Sequence, residues 1–545
     1  MMCPASIVKS RPRSTVVPPV READLNFPAP SQCLRRWLVV FVLFFLLAAP
    51  VRAQQENPGH VYIFLWFDTE DYILPQSDDA AKRLAVFLTQ QGIRATFKVV
   101  GEKARVLERR GRRDVIGALT NHEIGYHSNT HSQHPTVAEY ESPLDWDTGV
   151  EEFIQRERAG FEDVERIFRQ KPTCYGQPGA SWAPQVFPAL RKWGVRVYLD
   201  EGRQVGLNGK PFWYDGVLNI FNTKEGTQLE PNETWSNLDD AKAKFQQFYM
   251  QMAGRKEGGV ISIYYHPCQF VHKEFWDGVN FAHGASPLPE DWKLPPVKSP
   301  QETEAAFKYF EDLVTFMKSF PNVEFVTASQ ALELFPDRAQ RHVFTRQEIT
   351  EIAGQVDANI SFQVHDKYNL AASEVFLILN EFVANVIRKK AGAPILLDGT
   401  PDGPSSPFVA AGFSPAQGVA TSEGAGLKAG ATLGITWERF ARTVLDVSDE
   451  LAKTDQIPTA VWFGSEAVPP ESYLVALAQA TTALTQKGER PDTVNVAPAR
   501  LAAAQNVADD SLTLWDWVIF PEGFHAPHLM SLAKLQAWTL KPARH

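Results

Sequence analysis

From residue 60 onward, runs of consecutive apolar residues alternate with stretches in which apolar positions recur every three or four residues. HVYIFLWF (60–67) predicts a buried strand, and DDAAKRLAVFLTQQ (78–91) predicts a helix that stops at Gly92. IRATFKVV (93–100) predicts a second strand, followed by a charged helix through 119. The alternation continues through EIGYHS (123–128), a helix near 148–170, TCY (173–175) and a helix at 184–193. It resumes with VRVYL (195–199), VISIYYHP (260–267), a helix at 302–319 and VEFVTA (323–328). About seven such β/α units predict an α/β fold with a parallel sheet, and closing that sheet into a barrel removes its edges.

Between roughly 200 and 300 the pattern is interrupted by a stretch rich in Trp, Gly, Pro and Asn, including Trp213, Trp235, Trp276 and Trp292. Two readings of these tryptophans stand open: exposed stacking surfaces for sugar rings, or packing within a large loop. Past about 340 a helix, a proline and a short apolar run recur. The instances are FVANVIRKKAGAPILLDG (382–399), VLDVSDELAKTDQIPTAVWFG (444–464) and VALAQATTALTQKGERPDTVNVA (475–497). They predict a smaller, mainly helical C-terminal module over 345–545, after a barrel over 58–338.

The chain of 545 residues is 44% hydrophobic and 22% charged, the balance of a soluble globular protein. One segment departs from it. Arg35 and Arg36 precede the apolar run Trp37 to Ala49, and Val51-Arg52-Ala53 follows, so residues 1–53 predict a secretory signal cleaved after Ala53. Export to the periplasm, the cell envelope or the medium is the expectation. With that leader gone, seven of 54 basic and two of 64 acidic residues are lost, leaving a net charge of −15. Such a charge argues against nucleic acid as a partner. Cys174 and Cys268 remain, and sequence alone does not place them within bonding distance.

GYHSNTHSQH (125–134) gathers His127, His131 and His134, from a chain with only thirteen histidines. Imidazole is a common ligand for zinc-like ions, and two imidazoles need a further donor. Asp68, Glu70 and Asp71 in FDTEDY follow the first strand, where three acids are costly unless solvated, paired or bound to a cation. His266 closes the late strand in ISIYYHP. In a parallel barrel all three groups fall at one mouth.

FDTED, HEIGYHSNTH and IYYHP resemble the first, second and last motifs of the polysaccharide deacetylases, the NodB-homology group of carbohydrate esterase family 4. The resemblance covers about residues 58–335. It implies a distorted (β/α)7 barrel, one divalent metal ion, most often zinc, and removal of N-acetyl groups from a polysaccharide. Carried over, His127 and His131 become metal ligands, Asp68 the catalytic base and His266 the general acid. This chain departs from the family pattern twice. The family's adjacent aspartates are replaced, so Asp71 is taken as the metal carboxylate, with Glu70 as its close rival. The motif-three arginine is absent from TCYGQPGASWAP (173–184), so Asp68 must be positioned by other groups. His134 matches no family role and is expected to be a surface residue. The tail resembles, faintly, the pseudomurein-binding repeat, which implies attachment to a cell wall. Two other functions fit the same residues: hydrolysis of another amide or an O-acetyl ester, or carbohydrate binding without catalysis.

Overall fold

Strands form where the apolar runs lie. In the computed structural model they are β1 (Val61–Thr69), β2 (Thr96–Val99), β3 (Glu123–Tyr126), β4 (Cys174–Tyr175) and β5 (Val197–Asp200). β6 (Phe212–Tyr214), β7 (Val217–Phe221), β8 (Gly259–Tyr265) and β9 (Val323–Val326) follow. The structure describes residues 59–545 apart from 222, 224–228, 230–234, 391 and 410–431, so the expected signal segment lies outside the described residues. The sheet runs β6, β7, β5, β4, β3, β2, β1, β8, with β9 beside the first half of β1. Its pairings are parallel except where β6 meets its neighbours.

The curl of the sheet brings Thr223, just past β7, to β8. There the Thr223 N–H donates to the Ser262 carbonyl and the Ser262 N–H donates to Thr223 Oγ1, both at 3.1 Å. These contacts draw the two ends of the row β8, β1 to β5 and β7 together, and the sheet is curled in the manner of the distorted barrel anticipated above, with β7 and β8 themselves unpaired with each other. Helices cover its outside, so β1 is buried on both faces, as parallel strands are. Cap chemistry sets some helix boundaries: Ser299 and Glu302 form a reciprocal capping box at the start of the helix Pro300–Lys318. The insertion holds a further helix, Leu238–Ala253, that the sequence pattern did not reveal.

The tail has its own core, built from helices Ala372–Ile387, Trp437–Thr454 and Pro470–Thr482. After the last two, a proline leads into short strands, Val461–Phe463 and Thr493–Val496. The tail is thus mainly helical, but its final part returns to the barrel. Leu514, Trp515, Phe520, Leu529 and Leu532 join the barrel core, and Lys541–Pro542 pairs with the open edge of β6. Buried Lys541 binds Glu374 and Asp337 at 2.7 and 2.8 Å, tying the tail core to the barrel. The module drawn over 345–545 therefore ends earlier, because an unpaired strand edge and an apolar cluster claim the last residues.

Cys174 and Cys268 are buried and free. The four insertion tryptophans pack rather than project. Trp213, Trp235 and Trp276 are buried, and Trp292 lies against Tyr72 and Phe281.

Glu141 is fully buried, and neither carboxylate oxygen has a hydrogen-bond partner. Burial, reinforced by Glu152, pushes its pKa from 4.5 up to about 9. The folded chain therefore keeps a proton that the unfolded chain releases, so the residue costs stability increasingly as pH rises from 4.5 toward 9. Glu141→Gln should raise the melting temperature at pH 8 by at least roughly 2–4 °C, and far less at pH 5, by calorimetry. Equal shifts at both pH values would contradict this account.

A candidate metal centre at the barrel mouth

Strand register brings the candidate residues together. Phe67 is paired with Tyr265, while Thr69 is level with Val99 and Val99 with Tyr126. The chains then leave the sheet as Asp68-Thr69-Glu70, His127 and His266 at one mouth. Past β3, Ser128 and His131 take left-handed φ values of 67° and 57°. That conformation is unfavourable for residues other than glycine and often marks functional sites. Here it folds the loop back, with the His131 N–H donating to Ser128 Oγ.

Glu70, His127 and His131 each offer one donor atom, and these atoms lie within 4.8 Å of one another, all buried. Glu70 Oε2 is 3.3 Å from His127 Nε2 and 3.0 Å from His131 Nε2. His127 Nδ1–H must donate to the Gly176 carbonyl at 2.9 Å, since a carbonyl only accepts. Its Nε2 is then free to offer a lone pair toward Glu70. His131 Nε2 is buried without an aligned hydrogen bond despite its nearness to the carboxylate. Lone pairs crowded around a buried carboxylate need a cation between them or a proton on a ring. The donor set and the orphaned nitrogen both fit a divalent ion. Burial opposes ionisation of Glu70, yet His131, His266 and His127 together hold its pKa well below the usual range. Trp276 Nε1–H donates to Glu70 Oε1 at 3.0 Å and fixes the direction of Oε2.

Asp71, taken above as the metal carboxylate, is turned away. Its Oδ1 accepts from the Ile73 and Leu74 N–H groups, and its Oδ2 faces His272 Nε2 at 2.9 Å. Asp71 thus caps a turn and pins the loop after β8, and its rival Glu70 takes the place beside the histidines. His134 is not at the surface: it is half-buried and paired with Glu139 at 2.7 Å, and it stands outside the donor cluster.

Asp68 and His266 flank the donors. His266 Nε2 lies 3.8 Å from both Asp68 Oδ2 and Glu70 Oε2, its ring held edge-on by Phe275 and Tyr264. The group that positions Asp68 comes from β2. Lys98, fully buried in β2, reaches Asp68 Oδ1 at 2.9 Å and Asp200 Oδ2 at 3.6 Å. It also donates to the Leu199 carbonyl and sits 4.2 Å over the Trp66 ring. Burial works against its charge, but Asp68 and Asp200 hold its pKa above the ordinary ammonium range. Burial raises Asp200 to about 7, with Lys98 opposing. A Cβ on Gly176 would lie 1.9 Å from Lys98 Nζ, so the ammonium needs a glycine there. A lysine inside the apolar strand IRATFKVV was the available sequence signal. Trp517, from the tail, meets His131 edge-on at 5.3 Å and has no counterpart among the expected residues.

No protein-family model matches the chain, and no curated protein matches it. Solved structures do. A Mycobacterium smegmatis protein designated a polysaccharide deacetylase is 13% identical over 52% of this chain and 91% of its own, with a TM-score of 0.35. A 4-alpha-glucanotransferase from Thermococcus litoralis is 11% identical over 55% of this chain and 46% of its own, TM-score 0.36. A family 4 acetyl xylan esterase from Clostridium thermocellum, in complex with a cobalt ion, is 15% identical over 50% and 91%, TM-score 0.26.

Replacing Lys98 with Met would leave Asp68 and Asp200 buried without their cation. Loss of one partner from such a group costs about 3–5 kcal/mol, read as a lower urea midpoint at unchanged slope. A midpoint equal to wild type would show that the ammonium is dispensable.

Proposed function

We propose that this chain is a divalent-metal-dependent hydrolase that removes N-acetyl groups from a glycan. The observation that carries the reading is the convergence of Glu70, His127 and His131 on one point, with Asp68 and His266 beside it. Glu70 Oε2 and the Nε2 atoms of the two histidines would hold the ion. When bound, a zinc-like ion polarises the amide carbonyl and lowers the pKa of its water from 15.7 to about 7.

The protein's own groups do the rest. Asp68, anchored by Lys98, takes the proton from the attacking water. His266 Nε2 delivers a proton to the departing nitrogen, which an amide requires because its anion is a very poor leaving group. Gly176 and Trp276 keep the donor atoms aimed. The apolar run near the N-terminus makes an exported location part of the proposal, with an acetylated envelope or extracellular glycan as substrate.

Asp68→Ala should keep the ion and lose about 10²–10⁴-fold in turnover, followed by acetate release with metal content measured in parallel. His266→Ala should slow an N-acetyl substrate by a similar factor and an O-acetyl ester much less. Equal losses on amide and ester would remove the acid role from His266. Full turnover by Asp68→Ala would remove the base.

A further inference from the structure

Residues 510–526 of the tail form a loop whose ends are tied together at Asp510. Asp510 Oδ1 accepts from Trp515 Nε1 at 2.8 Å and from the Ala526 N–H at 3.1 Å, while Oδ2 pairs with His525 at 2.9 Å. Phe520 and Phe524 stack inside it at 4.4 Å, and Ile519 is fully buried in a cluster with Tyr72 and Trp276. This is a compact loop packed by its own side chains, seated on the barrel mouth.

Its Trp517 touches the loops that follow three strands. The ring meets His131 after β3, and Nε1 donates to Asp277 Oδ2 at 2.8 Å in the loop after β8. After β4 it lies against Gly179, where a Cβ would fall 2.3 Å from the indole, so a glycine is needed to admit the ring. The N–H groups of His283 and Gly284 donate to the Val518 and Ile519 carbonyls at 3.0 and 2.8 Å, fastening the same crossing. The tail loop therefore bridges one side of the mouth directly over the donor cluster. The cleft it leaves is lined also by Asp200, Glu201, Arg203 and Tyr264, with Arg203 paired to Asp516 of the same loop, and holds about 380 Å³. That is the small end of the range of about 300–1,000 Å³ for small-molecule sites. Its one lining guanidinium, Arg203, is taken up by Glu201 and Asp516, and nearby Lys98 by Asp68 and Asp200, so among the described residues no unpaired Arg or Lys lines it to receive an anionic substrate.

We infer that the tail loop closes the cleft at Trp517, making it the specificity-determining residue for a terminal N-acetylated unit of a neutral glycan. A long chain attacked at an internal unit needs a groove running on past both sides of that unit, and here one side meets the indole. The inference rests on the hydrolase reading above. The reaction is unchanged: the water oxygen bonds to the acyl carbon, the C–N bond breaks, and acetate and a protonated amine leave.

The test uses the metal-loaded full chain and N-acetylglucosamine oligomers from the monosaccharide to the hexamer. Mass spectrometric sequencing of the products should find one acetate lost per oligomer, always from an end. Trp517→Ala should add losses at internal units. Trp517→Phe, which keeps a ring in place without the bond to Asp277, should retain the end restriction and so controls for disturbed folding. Internal deacetylation by the wild type overturns the inference. Should no oligomer release acetate, the hydrolase reading falls, and calorimetric binding of the same series decides the closed end separately. Wild-type affinity that stops rising beyond two or three units supports it. Affinity that climbs through the hexamer, or no binding at all, overturns it.

Discussion

Glu70 is a carboxylate buried completely at the end of a buried strand, with imidazole nitrogens directed at one of its oxygens. Such a charge is tolerated in a protein interior only when opposite charge or hydrogen bonds meet it. Much of the mouth answers that need. Trp276 takes one oxygen, His127 and His131 face the other, and the Gly176 carbonyl sets the tautomer of His127. Asp71, although next in sequence, is spent on holding the turn and on His272, which leaves Glu70 to point inward.

A second buried charge is organised along the same lines. Asp68 and Asp200 share Lys98, and the ammonium lies in a space that a side chain at position 176 would fill. The chain thus places a cation beside Asp68 from β2 rather than from the stretch around β4. The two charge centres adjoin at Asp68, whose Oδ1 lies 3.7 Å from His127 Nε2 and 2.9 Å from Lys98 Nζ.

The barrel was legible because its strands are long apolar runs and its helices keep strict spacing, so β1, β3, β8 and the helix Pro300–Lys318 lie where the pattern put them. His127 and His266 were legible because each directly follows a strand, His131 because it shares the loop of His127, and Asp68 because it comes at the end of the apolar run of β1. The choice between Glu70 and Asp71 was not, since it depends on side-chain direction at a turn and on Trp276 and His272, some 200 residues away in sequence. Lys98 carried a signal in its apolar strand, but its partners come from two other strands. Trp517 carried none: its part in the cleft follows from the tail's return to the β6 edge, a long-range pairing of two residues. Of the two readings left open for the insertion tryptophans, packing holds, because apolar area packs inward when the fold gives it somewhere to go.

The account stands on Glu70 as the third donor. The most direct measurement is zinc content per chain, by elemental analysis after dialysis, in wild type, Glu70→Gln and Asp71→Asn, with melting followed to confirm folding. About one ion per chain in wild type and in Asp71→Asn, with none in Glu70→Gln, is the predicted result. No ion in the wild type, or an ion kept by Glu70→Gln and lost by Asp71→Asn, would contradict it.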